Sequence, residues 1–129
     1  MKRKKIIYVP MGADIIHSGH LNIIKKAKEF GQIIIGLFTD AAIAEYKTLP
    51  LINYSQRLEI MENIKGISKI IKQDTWDYSY NLNKLKPDYV IHGDDWKKGV
   101  QKETRLKVIK ILKKWKGKLI EVPYTKKVN

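Results

Sequence analysis

The chain has 129 residues, 43% of them hydrophobic and 30% charged, and its 26 lysine and arginine residues against 13 acidic ones give a formal net charge of +13. That length suits one globular domain spanning residues 1–129, with a core that needs no disulfide or structural metal. No cysteine is present, which excludes thiolate zinc sites, iron–sulfur clusters and cysteine nucleophiles and agrees with a reducing, cytoplasmic setting.

Ile6-Ile7-Tyr8-Val9 is a short apolar, β-branched run ended by Pro10 and Gly12, and it reads as a buried strand. Leu21, Ile23, Ile24, Ala27 and Phe30 recur at helical spacing, predicting a helix over about Gly19 to Phe30 that Gly31 stops. Ile33 to Phe38 is a second buried strand, so the opening is a strand–helix–strand unit with parallel strands. The pattern continues with a helix from about Ser55 to Ile64, a strand at Ser68 to Lys72, a short helix near Asn81 to Leu85 and a strand at Tyr89 to His92. Leu106, Val108, Ile109, Ile111, Leu112 and Trp115 mark the apolar face of a last helix, and Lys118 to Val122 is a fifth strand. The alternation predicts an α/β fold, a doubly wound parallel sheet of about five strands with helices on both faces.

No apolar run reaches the roughly 18 residues of a membrane span, and the basic start Met1 to Lys5 lacks the apolar region and cleavage site of a signal peptide. No membrane partner is expected. The charge excess is concentrated late: Lys97 to Lys127 holds twelve basic residues against Glu103 and Glu121. This favours an anionic partner. With 23 of the 26 basic residues being lysine and no RNA-binding aromatic motif in view, a solvated lysine face is the plainer reading.

In doubly wound sheets ligands sit at the carboxyl ends of the strands, which directs attention to Met11 to His20, Thr39-Asp40, Gln73 to Trp76, Gly93 to Trp96 and Tyr124-Thr125. His17-Ser18-Gly19-His20 falls in the first strand-to-helix turn, where helix N-terminal amides bind phosphate and Gly19 permits close backbone approach. Imidazoles there can donate to phosphate oxygens as negative charge develops at phosphorus. A metal centre is the weaker reading, because His92 is the only other histidine. Neither Gly-x-Gly-x-x-Gly nor the Walker lysine motif occurs, which disfavours dehydrogenases and P-loop kinases.

Gly12-Ala13-Asp14-Ile15-Ile16-His17-Ser18-Gly19-His20, Phe38-Thr39-Asp40, Tyr54-Ser55-Gln56-Arg57 and Gly93-Asp94-Asp95-Trp96 together resemble the cytidylyltransferase family, especially its glycerol-3-phosphate cytidylyltransferase-like members. Gly99 to Arg105 and Val122-Pro123-Tyr124-Thr125 bring the resemblance closer to the cytidylyltransferase domains associated with phosphoenolpyruvate mutase in phosphonate biosynthesis. The resemblance implies a Rossmann-like nucleotidyltransferase fold. It also implies transfer of CMP from CTP to a small phosphonate or alcohol phosphate with release of pyrophosphate, Mg2+ on the triphosphate, and a homodimer. By the same resemblance His17, His20 and Lys47 would be catalytic, and Gly12, Ala13, Asp14, Gly19, Gly93, Asp94, Asp95, Trp96, Tyr124 and Thr125 would bind nucleotide. Asp40 and Arg57 would serve the acceptor or its phosphate, a forked guanidinium suiting an anion.

Two departures stand out. Met11-Gly12-Ala13 replaces the Gly-Thr-Phe common in the family, and Lys126 to Asn129 follows Tyr124-Thr125 where relatives carry a glycine-isoleucine-serine-threonine segment. The second departure reads as a truncated domain or as part of a longer chain. The alternatives are a glycerol-3-phosphate or phosphocholine cytidylyltransferase, an adenylyltransferase of the same superfamily, which Gly93-Asp94-Asp95-Trp96 argues against, and a non-catalytic nucleotide- or nucleic-acid-binding module.

Overall fold

A computed structural model describes residues 4–45, 48–97 and 101–123. Five strands, β1 (Ile6–Met11), β2 (Gln32–Phe38), β3 (Ile67–Gln73), β4 (Tyr89–Gly93) and β5 (Lys118–Val122), form one sheet in the order β3-β2-β1-β4-β5. Every described pairing is parallel. The helices are α1 (Ser18–Lys28), α2 (Asp40–Ala44), α3 (Tyr54–Glu62), α4 (Ser79–Leu85) and α5 (Lys102–Leu112). The doubly wound α/β sheet expected from the strand–helix alternation is therefore present. Among the described residues no helix is long and apolar enough to cross a membrane.

The two-residue period of the strands sends alternate side chains to two cores. Ile7, Val9 and Met11 of β1 join Ile33, Ile35 and Leu37 of β2 on one face, where Ile23, Ile24 and Ala27 of α1 and Met61 of α3 cover them. Tyr8, Ile34 and Phe38 point to the other face, under Ala42 and Ile43 of α2, Leu82 of α4, and Val108, Ile111 and Leu112 of α5. Strands buried on both faces explain why β1 and β2 read as continuous apolar runs. The outer strand β3 instead exposes Ser68, Lys69 and Lys72, as an unpaired edge favours.

Three elements differ from the sequence reading. First, β1 runs on through Pro10 to Met11, pairing with β2 as far as Met11↔Leu37, but with β4 only at Ile7↔Tyr89 and Tyr8↔Val90. Proline has no N–H to contribute to a ladder, and Pro10 sits where β1 and β4 have stopped pairing. The central strands thus part towards their carboxyl ends. Second, α2 is too short to show a helical period, and it is started by Thr39, whose hydroxyl accepts from the Ala42 amide at 3.2 Å. Third, the last helix gives way at Lys113–Trp115 to a tight 3-10 turn closed by Lys116 in the left-handed region.

Candidate active site

The first turn is built by its own histidines. His17 is the N-cap of α1: its Nδ1 accepts the Gly19 amide at 3.0 Å, and the His17 amide donates to His20 Nδ1 at 3.2 Å. This is a capping box made of two imidazoles in place of the usual serine and glutamate. An Nδ1 that accepts carries no proton, so each neutral ring holds its proton on Nε2, where it is a donor. The rings lie 4.2 Å apart. Burial, helped by His17, pulls the His20 pKa down to about 4, so His20 is neutral at pH 7. Gly19 is buried, and its amide is spent on His17 within the turn.

Two chambers open at the carboxyl edge of the sheet, with Gly12, His20, Phe38 and Trp76 common to both. The first, about 150 Å³, lies where β1 and β4 part, between Pro10 and Met11 on one side and His92, Gly93 and Asp95 on the other. The second, about 560 Å³, lies towards β2, between the turn Ala13–Ile15 and the segment Thr48–Leu51. His20 stands at their junction. Among the described residues no group of three or more His, Asp or Glu side chains is arranged to hold a metal.

The loops are pinned from below by Arg57, whose side chain is 0% exposed. Its Nε donates to Ile52 O at 2.8 Å, its Nη1 to Gly12 O at 2.8 Å and Phe38 O at 2.6 Å, and its Nη2 to Asp40 Oδ1 at 2.7 Å. Arg57 and Asp40, expected to serve an anionic acceptor, face each other in this structure, and the guanidinium lies under the loops. Asp14 is likewise engaged by the chain itself, accepting Leu51 N at 3.1 Å and Ile52 N at 2.9 Å and so tying the two walls of the second chamber together. Ala13 between them adopts φ 54°, a left-handed backbone that side chains other than glycine rarely take.

Trp96, expected to bind nucleotide, is packed inside the protein in this structure. It is 1% exposed, its ring lies flat on His92 at 3.6 Å, and its Nε1 donates to Glu121 Oε2 at 2.8 Å. It therefore has no face to offer a base. Glu121 is held in turn by Arg105, through Nε at 2.8 Å and Nη2 at 3.0 Å, and this pairing keeps its carboxyl below the usual range. His92 donates from Nδ1 to Gly93 O at 2.8 Å, and burial pushes its pKa down. Asp94 opens the 3-10 turn Asp94–Trp96, while Asp95 is exposed at the first chamber.

Lys47, Tyr124 and Thr125 lie outside the described residues. Of the other expected positions, Gly12, His20, Gly93 and Asp95 meet at the first chamber, and Gly12, Ala13, Asp14 and His20 at the second. The sequence placed Trp76 at a strand end but gave it no role of its own. It lies just past β3 among the strand-end residues and walls both chambers, but no spacing pattern sets it apart from a core aromatic. Its indole donates to Ala42 O, and its ring meets Phe38 edge-on at 4.3 Å. A buried network steadies that loop: Tyr8 donates to Gln73, Asn81 Nδ2 donates to Tyr8 Oη at 3.0 Å, and Gln73 Nε2 donates to Thr75 O at 2.7 Å.

A parallel sheet with a crevice where β1 and β4 separate, and a helix N-terminus beside it, defines the doubly wound class that binds phosphorylated ligands at its switch point. Residues 12–129 match the cytidylyltransferase-like family, and the chain belongs to it. It is 33% identical over 99 residues to the FAD synthase of Methanothermus fervidus, covering 71% of this chain and 68% of that protein. It is 30% identical over 101 residues to the ethanolamine-phosphate cytidylyltransferase of Arabidopsis thaliana, covering 73% of this chain but 24% of that protein. Among solved structures, the lipopolysaccharide core biosynthesis protein from Thermoplasma volcanium superposes with a TM-score of 0.81 at 18% identity, covering 95% of this chain and 99% of that one. The pantoate-beta-alanine ligase of Francisella tularensis gives 0.68 at 17% identity over 98% of this chain and 62% of that one, so both share the fold.

Proposed function

We propose that the chain transfers CMP from CTP to a small phosphate- or phosphonate-bearing acceptor with release of pyrophosphate. The observation that carries this reading is His20 at the junction of two chambers, neutral and with Nδ1 committed to the backbone. The nucleotide would occupy the chamber between β1 and β4, and the acceptor the one towards β2. An acceptor oxygen attacks the α-phosphorus, a new P–O bond forms, and the bond to the β-phosphate oxygen breaks, its electron pair leaving with pyrophosphate. The acceptor is already an anion, so no base is required, and catalysis reduces to in-line positioning and stabilisation of charge by donors such as His20 Nε2–H and that of His17.

Magnesium enters as part of the proposal: it would ride on the triphosphate and neutralise its charge, with Asp95 as the described carboxylate at that chamber. Arg57 and Asp14 act as positioning residues for the loops. Similarity to FAD synthase supports a second reading, transfer of an adenylyl group. Calorimetry with Mg-CTP and Mg-ATP separates the two. His17→Asn and His20→Asn variants keep an acceptor near the Nδ1 position, and hence the cap, but lose Nε2–H. We expect CTP to bind in preference to ATP, and each variant to lower turnover by about 10²- to 10³-fold, the usual cost of one transition-state donor. Preference for ATP, or full turnover by both variants, would defeat the proposal.

A further inference from the structure

The second chamber is lined very differently from a site for a charged or polyhydroxylated molecule. Phe38, Ile43 and Trp76 form its inner wall, and Ile15, Leu49 and Leu51 form its rim. The rim side chains are 58%, 71% and 82% exposed, among the most water-exposed large apolar groups described. Asp14 bonds the amides of Leu51 and Ile52, and Arg57 bonds the carbonyls of Ile52 and Gly12, so the Leu51 side of the rim is tied to the first turn. Exposed aliphatic groups converging on one opening gain free energy when an apolar body covers them.

The described carboxylates at and near this chamber are bonded to the chain itself. Asp14, the acidic residue in its described lining, accepts two backbone amides. Asp40 pairs with Arg57, and Glu45 accepts from Thr75 Oγ1 and the Trp76 amide. Asp14 is the described lining carboxylate, with each oxygen already accepting one backbone amide, and Thr48 is the described lining hydroxyl. Phe38 is buried against Trp76, so the described walls do not form an aromatic cage for a quaternary ammonium. The chain's formal charge of +13 adds a long-range preference for the acceptor with the greater net negative charge.

We infer that the acceptor is a phosphate or phosphonate whose organic portion is uncharged and mainly apolar, received between Trp76 and the Ile15, Leu49 and Leu51 rim. This rests on the nucleotidyl-transfer reading above. The test is pyrophosphate release from Mg-CTP with acceptors matched in size: ethylphosphonate and propyl phosphate, against 2-aminoethylphosphonate, phosphoethanolamine, phosphocholine and glycerol phosphate. The alkyl acceptors should have kcat/KM at least about tenfold higher, the discrimination that one or two methylene groups give in an apolar pocket. Leu51→Asp should raise KM for the alkyl acceptors about tenfold, leave the affinity for CTP unchanged, and improve the ammonium-bearing acceptors. Leu106→Ser, another exposed leucine, on α5 and outside the chamber lining, should change nothing.

Preference for an ammonium or polyol acceptor, or an unchanged acceptor KM in Leu51→Asp, overturns the inference while leaving CMP transfer intact. The inference also falls if CTP binds and no alkyl acceptor is consumed. Failure of CTP to bind in calorimetry overturns the parent reading itself.

Discussion

Replacing Arg57 by methionine separates two roles for this residue, a clasp that holds the loops and a contact for substrate. Methionine keeps the length of the stem and removes the guanidinium. Three carbonyl oxygens, of Gly12, Phe38 and Ile52, then lose their donor together with the carboxylate of Asp40. Breaking a buried pair from one side costs about 3–5 kcal/mol. The 38% exposure of the Asp40 side chain lets water recover part of this, which places the expectation near the lower end, about 3 kcal/mol. An unfolding entropy of roughly 2.1 cal/mol/K per residue makes that a fall in Tm of about 11 °C for a chain of this length. Arg57→Lys, with charge but no fork, should lose about half as much. Thermal unfolding followed by circular dichroism reads both variants, with CTP affinity measured on each below its transition. If Arg57→Met shifts Tm by less than about 3 °C and instead raises the KM of the acceptor, the guanidinium is a substrate contact and the clasp argument is wrong.

Acid should weaken the fold through its histidines. The folded-state pKa of His20 is about 4 and that of His92 is also lowered, while an unfolded histidine titrates near 6.5, so the unfolded chain takes up protons first as pH falls. Stability should therefore be fully present above about pH 6.5 and decline towards pH 4. Urea midpoints at pH 7.5 and pH 5.0 measure this, and His20→Gln should flatten the slope; equal midpoints in the parent protein would contradict it. Gly36→Ala should be destabilising by about 1–3 kcal/mol, the usual cost of overpacking, since an added Cβ would fall 1.9 Å from the Tyr8 oxygen. Chemical denaturation tests this, and an unchanged midpoint would show that Tyr8 can move aside. Glu121→Ala strips the acceptor from the buried Trp96 indole and should cost about 2 kcal/mol. It should also raise the KM for CTP more than it lowers kcat, because His92 and Gly93 beside Trp96 line the chamber proposed for the nucleotide; a purely catalytic defect would refute that proposal.

Much of the architecture was legible in the order of residues, because the signals involved are local and repetitive. Buried parallel strands make unbroken β-branched runs and amphipathic helices make a 3.6-residue period, so Ile33–Phe38 and the Val108, Ile111 and Leu112 face of α5 could be read without any partner strand in view, although Leu106, assigned to the same face, is 52% exposed. The histidine turn was legible for the same reason, since a strand end, two histidines and a glycine lie within a dozen residues. The short α2 was not, as five residues hold less than two helical turns.

What only the tertiary structure decided is the assignment of jobs to polar and aromatic side chains. Arg57 and Trp96 belong to the family's motifs, and as sequence they looked like a phosphate fork and a base platform. Burial turns the first into a clasp for three carbonyls and the second into a core ring held by Glu121 and Arg105. Trp76 was legible only as a strand-end residue, and nothing in the sequence joined it to Leu49 and Leu51 around one opening. Residues 37 or more positions apart, such as Asp14 and Leu51, are brought within hydrogen-bond distance only by the crossover connections of the sheet. Sequence periodicity records which side of an element faces inward. It carries no record of which distant element that side will meet, and for this protein those meetings determine what the site can bind.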